Sequence, residues 1–515
     1  MRRQNVLLLV QARHDPTAKR EVGRRYLLGI EGLSRHVATG IGYLTHASLQ
    51  NDDEAATIIC ECLTLQEIVS FQQQAALLRA ARFGNAVAQF KLALWVCVRH
   101  GQLNECASWL DMAAAGGHEL AARARAALRI DAGEDGVLGL SRTVSEDGAV
   151  DVEAIATLAA TVLADEGKLY LLARCLRIAL AASPRLSPLL ARLVVRAVHL
   201  AEAGALCAPG LATEHVEASL DLVVCDGDAA ADYVMGRALC GIACGALAPT
   251  SLVAGSNLRK GAALLLRAAD AGCDDAWMHL YKVHSDHRCS VANPQMARFF
   301  LEKAATLGKA EAQRRLGALI LRSASDLKDS ESGIRWLHEA AKQGDALAMR
   351  LLKSLVLPLV GEEEQVNHVI ELVRRSDPWL AMRLRLSRDF GLTKLEALCS
   401  DPTEGKRPWG LVVGKNRFIA QSKLSAPRAV PAVTPSALDS LHRAALLFEE
   451  AQREGSLFEG DWRRRSLHQR RAFARHQIDE DMFFARVNSR TLDALRHGSK
   501  WAVRAKHSLQ LALAA

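Results

Sequence analysis

A twelve-residue pattern, Leu-x-x-Ala-Ala-x-x-Gly-x-x-x-Ala, occurs five times without a mismatch, and a chain that repeats itself so closely is built from stacked copies of one small unit. The copies are Leu77–Ala88, Leu110–Ala121, Leu265–Ala276, Leu301–Ala312 and Leu337–Ala348. Leu followed three and four residues later by Ala-Ala puts one large and two small side chains on one helical face, so a second helix can approach closely. Gly four residues after the first Ala suits a C-terminal helix cap in the left-handed conformation. The pattern therefore predicts caps at Gly84, Gly117, Gly272, Gly308 and Gly344. The last Ala then opens a new helix, and the unit reads as helix B, tight turn, helix A of the next repeat.

Helix A has its own mark, a large residue followed by a small one at the fourth and fifth positions after the anchor Ala: Val22-Gly23, Leu92-Ala93, Met235-Gly236 and Leu316-Gly317. Weaker copies of the turn surround Leu44 to Ala55, with Asn51 in the glycine position, Leu176 to Ser183, and Leu220 to Ala231. Anchors Ala276, Ala312 and Ala348 are 36 residues apart, the length of a two-helix repeat.

The Ala312-x-x-x-Leu316-Gly317 opening, the Tyr26-x-x-Gly29-x-x-Gly32 helix end and the Trp336-to-Gly344 close resemble the Sel-one-like repeats (SLR), relatives of tetratricopeptide repeats. The resemblance covers residues 15 to about 385, with a blurred middle from Ala122 to Val224. It implies an all-α fold, a right-handed α-solenoid of two-helix repeats, and an adaptor or scaffold role without catalysis.

Composition agrees with stacked helices: 50% of residues are hydrophobic but only 5% aromatic, so Ala and Leu must fill the interior. The 12 cysteines lack the paired spacing of a disulfide framework, which suits reduced thiols and predicts a cytoplasmic protein. The apolar run Val6–Val10 is shorter than the ~7–15 residues of a secretory signal. No run approaches the ~18 apolar residues of a membrane span, since five arginines interrupt the richest region, Leu169–Leu211.

The expected organisation is a leader at 1–14, the solenoid at 15–390, a Pro-rich linker at 391–435, and a basic helical C-terminal extension at 436–515. A degenerate last repeat near Leu372–Met382 should present a polar outer face, because nothing stacks beyond it. Inside the linker, two β-rich runs around Gly414-Lys415-Asn416 suggest a short hairpin within Trp409–Ala420. Residues 401–515 hold 20 Lys and Arg against 12 Asp and Glu, so the whole net charge of +8 resides there. Arg463, Arg464, Arg465, Arg470, Arg471 and Arg475 form its densest cluster. They are the candidate anion-binding residues, for nucleic acid or another anionic surface. The alternative is a solvated helix spreading these arginines over most of its circumference, with Trp462, Leu467 and Phe473 turned inward.

Cys273, His279, His284, His287 and Cys289 carry zinc-type donors but not paired ligand spacing. His284 lies eight residues after Ala276, where Tyr26 follows Ala18, so it reads as a packing ring and no metal is expected. Nucleophile elbow, HExxH, dinucleotide fingerprint and P-loop are all absent. The expectation is a non-enzyme without cofactor that binds a protein or peptide on the concave face lined by the A helices, with polyanion binding by the C-terminal region as the second reading.

Overall fold

The computed structural model describes residues 3–130, 136–137, 139–140, 143–144, 151–182, 185–414, 427–453, 459–491 and 503–514. It is mainly helical and divides into two compact units, Met1–Cys273 and Asp274–Ala515.

Each unit contains a helical solenoid of two-helix repeats. In the first, A helices Pro16–Leu28, Asp53–Cys62, Ala86–His100 and Glu119–Ala127 alternate with B helices Val37–Leu44, Gln74–Arg82 and Leu103–Ala115. Further helices run from Val152–Asp165 to Leu258–Asp270. In the second, Asp275–Ser285, Ala310–Ser323 and Ala346–Leu355 alternate with Pro294–Thr306 and Leu327–Lys342. The motif residues account for this packing. The motif Leu and anchor Ala of all five copies are fully buried. In every copy the residue after the motif glycine donates its N–H to the carbonyl of the first motif Ala, as Lys309 does to Ala304 at 3.2 Å and Asp345 to Ala340 at 3.2 Å. This wrap satisfies one of the last carbonyls of helix B. It needs a left-handed residue, and Gly308 and Gly344 sit at φ 85° and 89°.

The small residue of helix A marks the crossing with helix B. A Cβ on Gly317 would fall 2.8 Å from the Gly333 carbonyl, and one on Gly333 would fall 3.0 Å from the Gly317 carbonyl. Gly23 with Gly40 and Gly236 with Gly261 repeat the arrangement. The two backbones touch, and any side chain there would force them apart.

The ends depart from expectation. Arg3–Gln11 is a helix whose Leu8 and Leu9 pack with Ala12, Ala18 and Val22. Asp15 caps the first repeat helix by accepting from Thr17 and Ala18. Asn51 does not adopt the left-handed conformation: helix Val37–Leu44 stops at Thr45, a 3-10 turn Ala47–Leu49 intervenes, and Asp52 caps the next helix instead.

Residues 391–435 differ from the linker expected of them. They hold helix Lys394–Cys399, the turn Pro402–Gly405, and an antiparallel sheet ordered β1 (Lys406–Arg407), β2 (Gly410–Val413), β3 (Arg428–Pro431). Gly410 pairs with Arg407 on one side and Pro431 on the other. All of β2 and β3 is buried. The prolines do not break this structure because Pro402 opens a helix, Pro431 ends the last strand and Pro435 starts the next helix, positions where a missing N–H costs little. The expected hairpin turn at Lys415-Asn416 and its second arm lie outside the described residues; β2 pairs with β1 and β3. Nor does the array end at Leu372–Met382. Helix Pro378–Phe390 buries Leu380, Leu384 and Phe390 against Lys394–Cys399, Pro435–Arg453 and Trp462–His476.

Two ion pairs hold this region, one fully buried and one buried on its arginine side. Arg428 grips Glu396 at 2.7 and 3.0 Å, both fully buried, and Arg383 grips Glu459 twice at 2.7 Å. Burial pushes the Glu396 carboxyl upward, but the Arg428 guanidinium and the Thr393 capping bonds outweigh it and leave it below its ordinary value. No described helix is long and apolar enough to cross a membrane.

Candidate interaction surfaces

The A helices of successive repeats lie side by side, and in the first unit they leave a cleft of about 370 Å³. Helix Ala86–His100 supplies Val87, Phe90, Lys91 and Leu94; helix Asp53–Cys62 supplies Glu61 and Cys62; His118 and Leu120 come from the start of Glu119–Ala127. Lys91 Nζ donates to the carbonyls of Cys60 at 2.6 Å and Leu63 at 2.8 Å, closing the end of helix Asp53–Cys62. Burial lowers its pKa. His118 stacks on Phe90 with ring centroids 4.5 Å apart, and its Nδ1 accepts the Ala121 N–H at 3.2 Å. Burial, then the Lys91 charge, depress its pKa, so the ring is neutral at pH 7. The thiol that lines the cleft is Cys62, and burial raises its pKa, which disfavours the thiolate. Apolar walls, a neutral imidazole and an ammonium already engaged with two carbonyls suit binding.

In the second unit the corresponding face is filled. Helix Val503–Ala514 packs on the A helices Ala310–Ser323 and Ala346–Leu355. Its buried stripe, Ala505, Ser508, Leu509 and Ala512, follows the i, i+3, i+4, i+7 spacing of one helical face. Three of these residues join Ala318, Leu321, Leu351 and Leu355 in one core. The buried Arg314 guanidinium donates to the Ala512 carbonyl and, through Nε at 3.0 Å, to Asp345. Ala512 is among the last four residues of its helix, whose carbonyls lack intrahelical partners, so Arg314 caps it. Asp345 in turn caps helix Ala346–Leu355, accepting from Leu347 and Ala348.

The arginine cluster divides. Arg465 turns inward, donating to the Leu398 carbonyl at 2.7 Å and to the Gly460 carbonyl, with Glu459 nearby. Burial, then Arg383, lower its pKa. Arg463, Arg464, Arg470, Arg471 and Arg475 are exposed. At roughly 100° per residue these five fall within an arc of about 140° on helix Trp462–His476. The arginines thus form one face rather than spreading around the helix, because the position on the far side is the one the core uses. Leu467, expected inside, is 46% exposed within that arc. Ser466, Gln469 and Phe473 face the core, where Phe473 stacks on Phe484 at 5.8 Å.

The five motif glycines, Gly84, Gly117, Gly272, Gly308 and Gly344, all have φ between 84° and 100°. They shape turns and bring no chemistry together. Among the described residues no three His, Cys, Asp or Glu side chains stand close enough to hold a metal ion. His284 packs on Phe300 at 5.2 Å as Tyr26 packs on Tyr43 at 6.1 Å, and His287 is 88% exposed. Two signals of the repeat were missed in the sequence. Gly40, Gly261 and Gly333 each stand four residues before a motif Leu, where helix B meets helix A. The residue three before the anchor Ala is often a cap: Asn85, His118 and Asp345 accept from Ala88, Ala121 and Ala348.

A Sel1 repeat family model matches residues 86–118, 253–273, 289–309 and 310–345. A search of curated proteins gives no match. Among solved structures, one similar chain is a protective antigen of uropathogenic Escherichia coli strains that displays an SLR fold, 16% identical, covering 94% of this chain and 99% of that one with a TM-score of 0.28. Another is a Sel1 repeat protein from Oxalobacter formigenes, 21% identical over 61% of this chain and 90% of that one, with a TM-score of 0.25.

Proposed function

The chain carries Sel1 repeats, and from that premise we propose that it is a non-catalytic scaffold whose A-helix faces bind a protein or peptide. Proteins built from such repeats generally mediate protein–protein interactions. The observation that supports this reading for the A-helix face is that it carries an open cleft in one unit and, in the other, a groove that already holds a helix. Stacked repeats offer such faces because each helix pair buries its own inner side and leaves the array's surface free for ligands. The test is quantitative affinity capture with the full chain. Val87→Asp with Leu120→Asp on the cleft rim should lose partners that Arg470→Gln with Arg471→Gln retains. Identical captures from both would sink the reading.

A second reading rests on the five exposed arginines, none of which has an ion pair among the described residues. If each neutralises one phosphate of duplex DNA, log affinity should fall with log salt at a slope of about −4.5. Fluorescence anisotropy across a salt series measures it. Binding that vanishes near physiological salt would leave this face a solvated surface.

A further inference from the structure

The cleft of the first unit has a graded lining. Phe90, Leu94 and Ile155 are buried, Val87 and Leu120 half-buried, and Glu61 and Asp151 exposed, so its carboxylates stand at the rim of an apolar floor. Each carboxylate accepts from a neutral donor, Glu61 from the Asn85 amide at 2.9 Å and Asp151 from the Ala154 N–H at 2.9 Å. Neither has an ion pair among the described residues. The one ammonium of the lining, Lys91, is turned to the Cys60 and Leu63 carbonyls. Two carboxylates against one ammonium leave the lining negative. Its interior offers donors: a neutral His118 ring that accepts the Ala121 N–H on Nδ1 carries its proton on Nε2. Lys91 gives two of its three N–H groups to carbonyls, so one donor remains on each side chain with no acceptor among the described residues.

These features select an occupant. A carboxylate would serve the two donors but meet Glu61 and Asp151, whereas a main-chain carbonyl serves them without charge. A helix uses its carbonyls internally; an extended segment has them free. Resting on the scaffold reading above, we propose that the cleft takes an extended segment of the partner protein in which one large apolar side chain is flanked by Lys or Arg. The apolar side chain sits on Phe90, Leu94 and Ile155, main-chain carbonyls accept from Lys91 and His118, and the basic flanks face Glu61 and Asp151. The anchor supplies most of the affinity, and the rim charges decide which sequences are admitted.

The experiment titrates the full chain into fluorescein-labelled, C-terminally amidated peptides and follows anisotropy: GSGRFRGSG, GSGEFEGSG and GSGRGRGSG. The first should bind about 10-fold or more tightly than either of the others. Glu61→Gln with Asp151→Asn, which keeps both local hydrogen bonds, should erase its advantage over the glutamate peptide. Equal affinity of the arginine and glutamate peptides that carry Phe, or the reverse order, overturns the basic partner. Equal affinity of the two arginine peptides overturns the apolar anchor. An advantage that survives the double substitution overturns the site, and so does the absence of binding by every peptide up to about 1 mM. After any of these failures, captures still lost on changing Val87 and Leu120 leave the scaffold reading standing; captures retained sink that reading by itself.

Discussion

The cleft of the first unit and the groove of the second are made from the same part of the repeat, yet one is open and the other filled. The cleft is lined by Val87, Phe90, Lys91, Leu94 and His118, and its polar groups are satisfied from within: Lys91 by two carbonyls, His118 by the Ala121 N–H. The groove keeps a guanidinium, Arg314, whose second partner lies 198 residues away. The difference is that the named polar groups of the cleft all find partners within the repeats, whereas in the groove Arg314, already paired with Asp345, gives a further donor to the docked helix.

The comparison breaks most visibly in the two floors. Leu351 is fully buried under the docked helix, whereas Leu94 borders open space. Leu351→Ala should cost about 3–5 kcal/mol by denaturant unfolding and Leu94→Ala about 2, since a void that opens into a cleft carries little cavity penalty. Equal costs would mean that the cleft is closed in solution.

The turns that enter the two faces should instead behave alike. Cβ atoms on Gly117 and Gly344 would meet nothing within 4 Å, so only backbone strain opposes Gly117→Val and Gly344→Val, about 1–2 kcal/mol each. A larger loss at Gly344, seen as increased hydrogen exchange in 503–514, would show that this turn also supports the docked helix.

Acid should act on the cleft. The folded-state pKa of His118 lies below its ordinary 6.5, through burial and then Lys91. Its contribution is therefore present above pH 6.5 and is lost as pH falls through the folded value. Protonation of Nδ1 also removes the acceptor of the Ala121 N–H, a cap worth about 0.5–2 kcal/mol. Melts between pH 7 and pH 5 should show this loss in wild type and a flatter profile in His118→Asn, which keeps an acceptor there.

The smallest expected effect is on the basic face. Arg471→Gln should change stability by less than about 0.5 kcal/mol. If the face binds duplex DNA, it should also reduce the salt slope by about 0.9.

What could be read from the sequence follows from range. The Leu-x-x-Ala-Ala-x-x-Gly turn acts within twelve residues, and the Lys309-to-Ala304 bond that closes it spans five. The chain between 391 and 435 differs from the linker expected because its stability comes from afar: Arg428 meets Glu396 across 32 positions, and Arg383, outside the segment, donates to the Ala397 and Ser400 carbonyls. Prolines there looked like breaks because their places at helix starts and a strand end depend on tertiary neighbours. The arginine face could have been read more closely from helical spacing alone, since Arg465 is the one member out of phase. The filling of the groove could not: nothing local in VRAKHSLQLALA shows where its stripe rests.

The separation between Arg314 and Ala512 also sets an order in time. A ribosome adding roughly 5–20 residues per second needs about 10–40 s to travel the 198 positions between them. During synthesis the groove helices emerge first and stand without their occupant. Until residues 503–514 arrive, the apolar floor made by Ala318, Leu321, Leu351 and Leu355 lacks the side chains that later cover it.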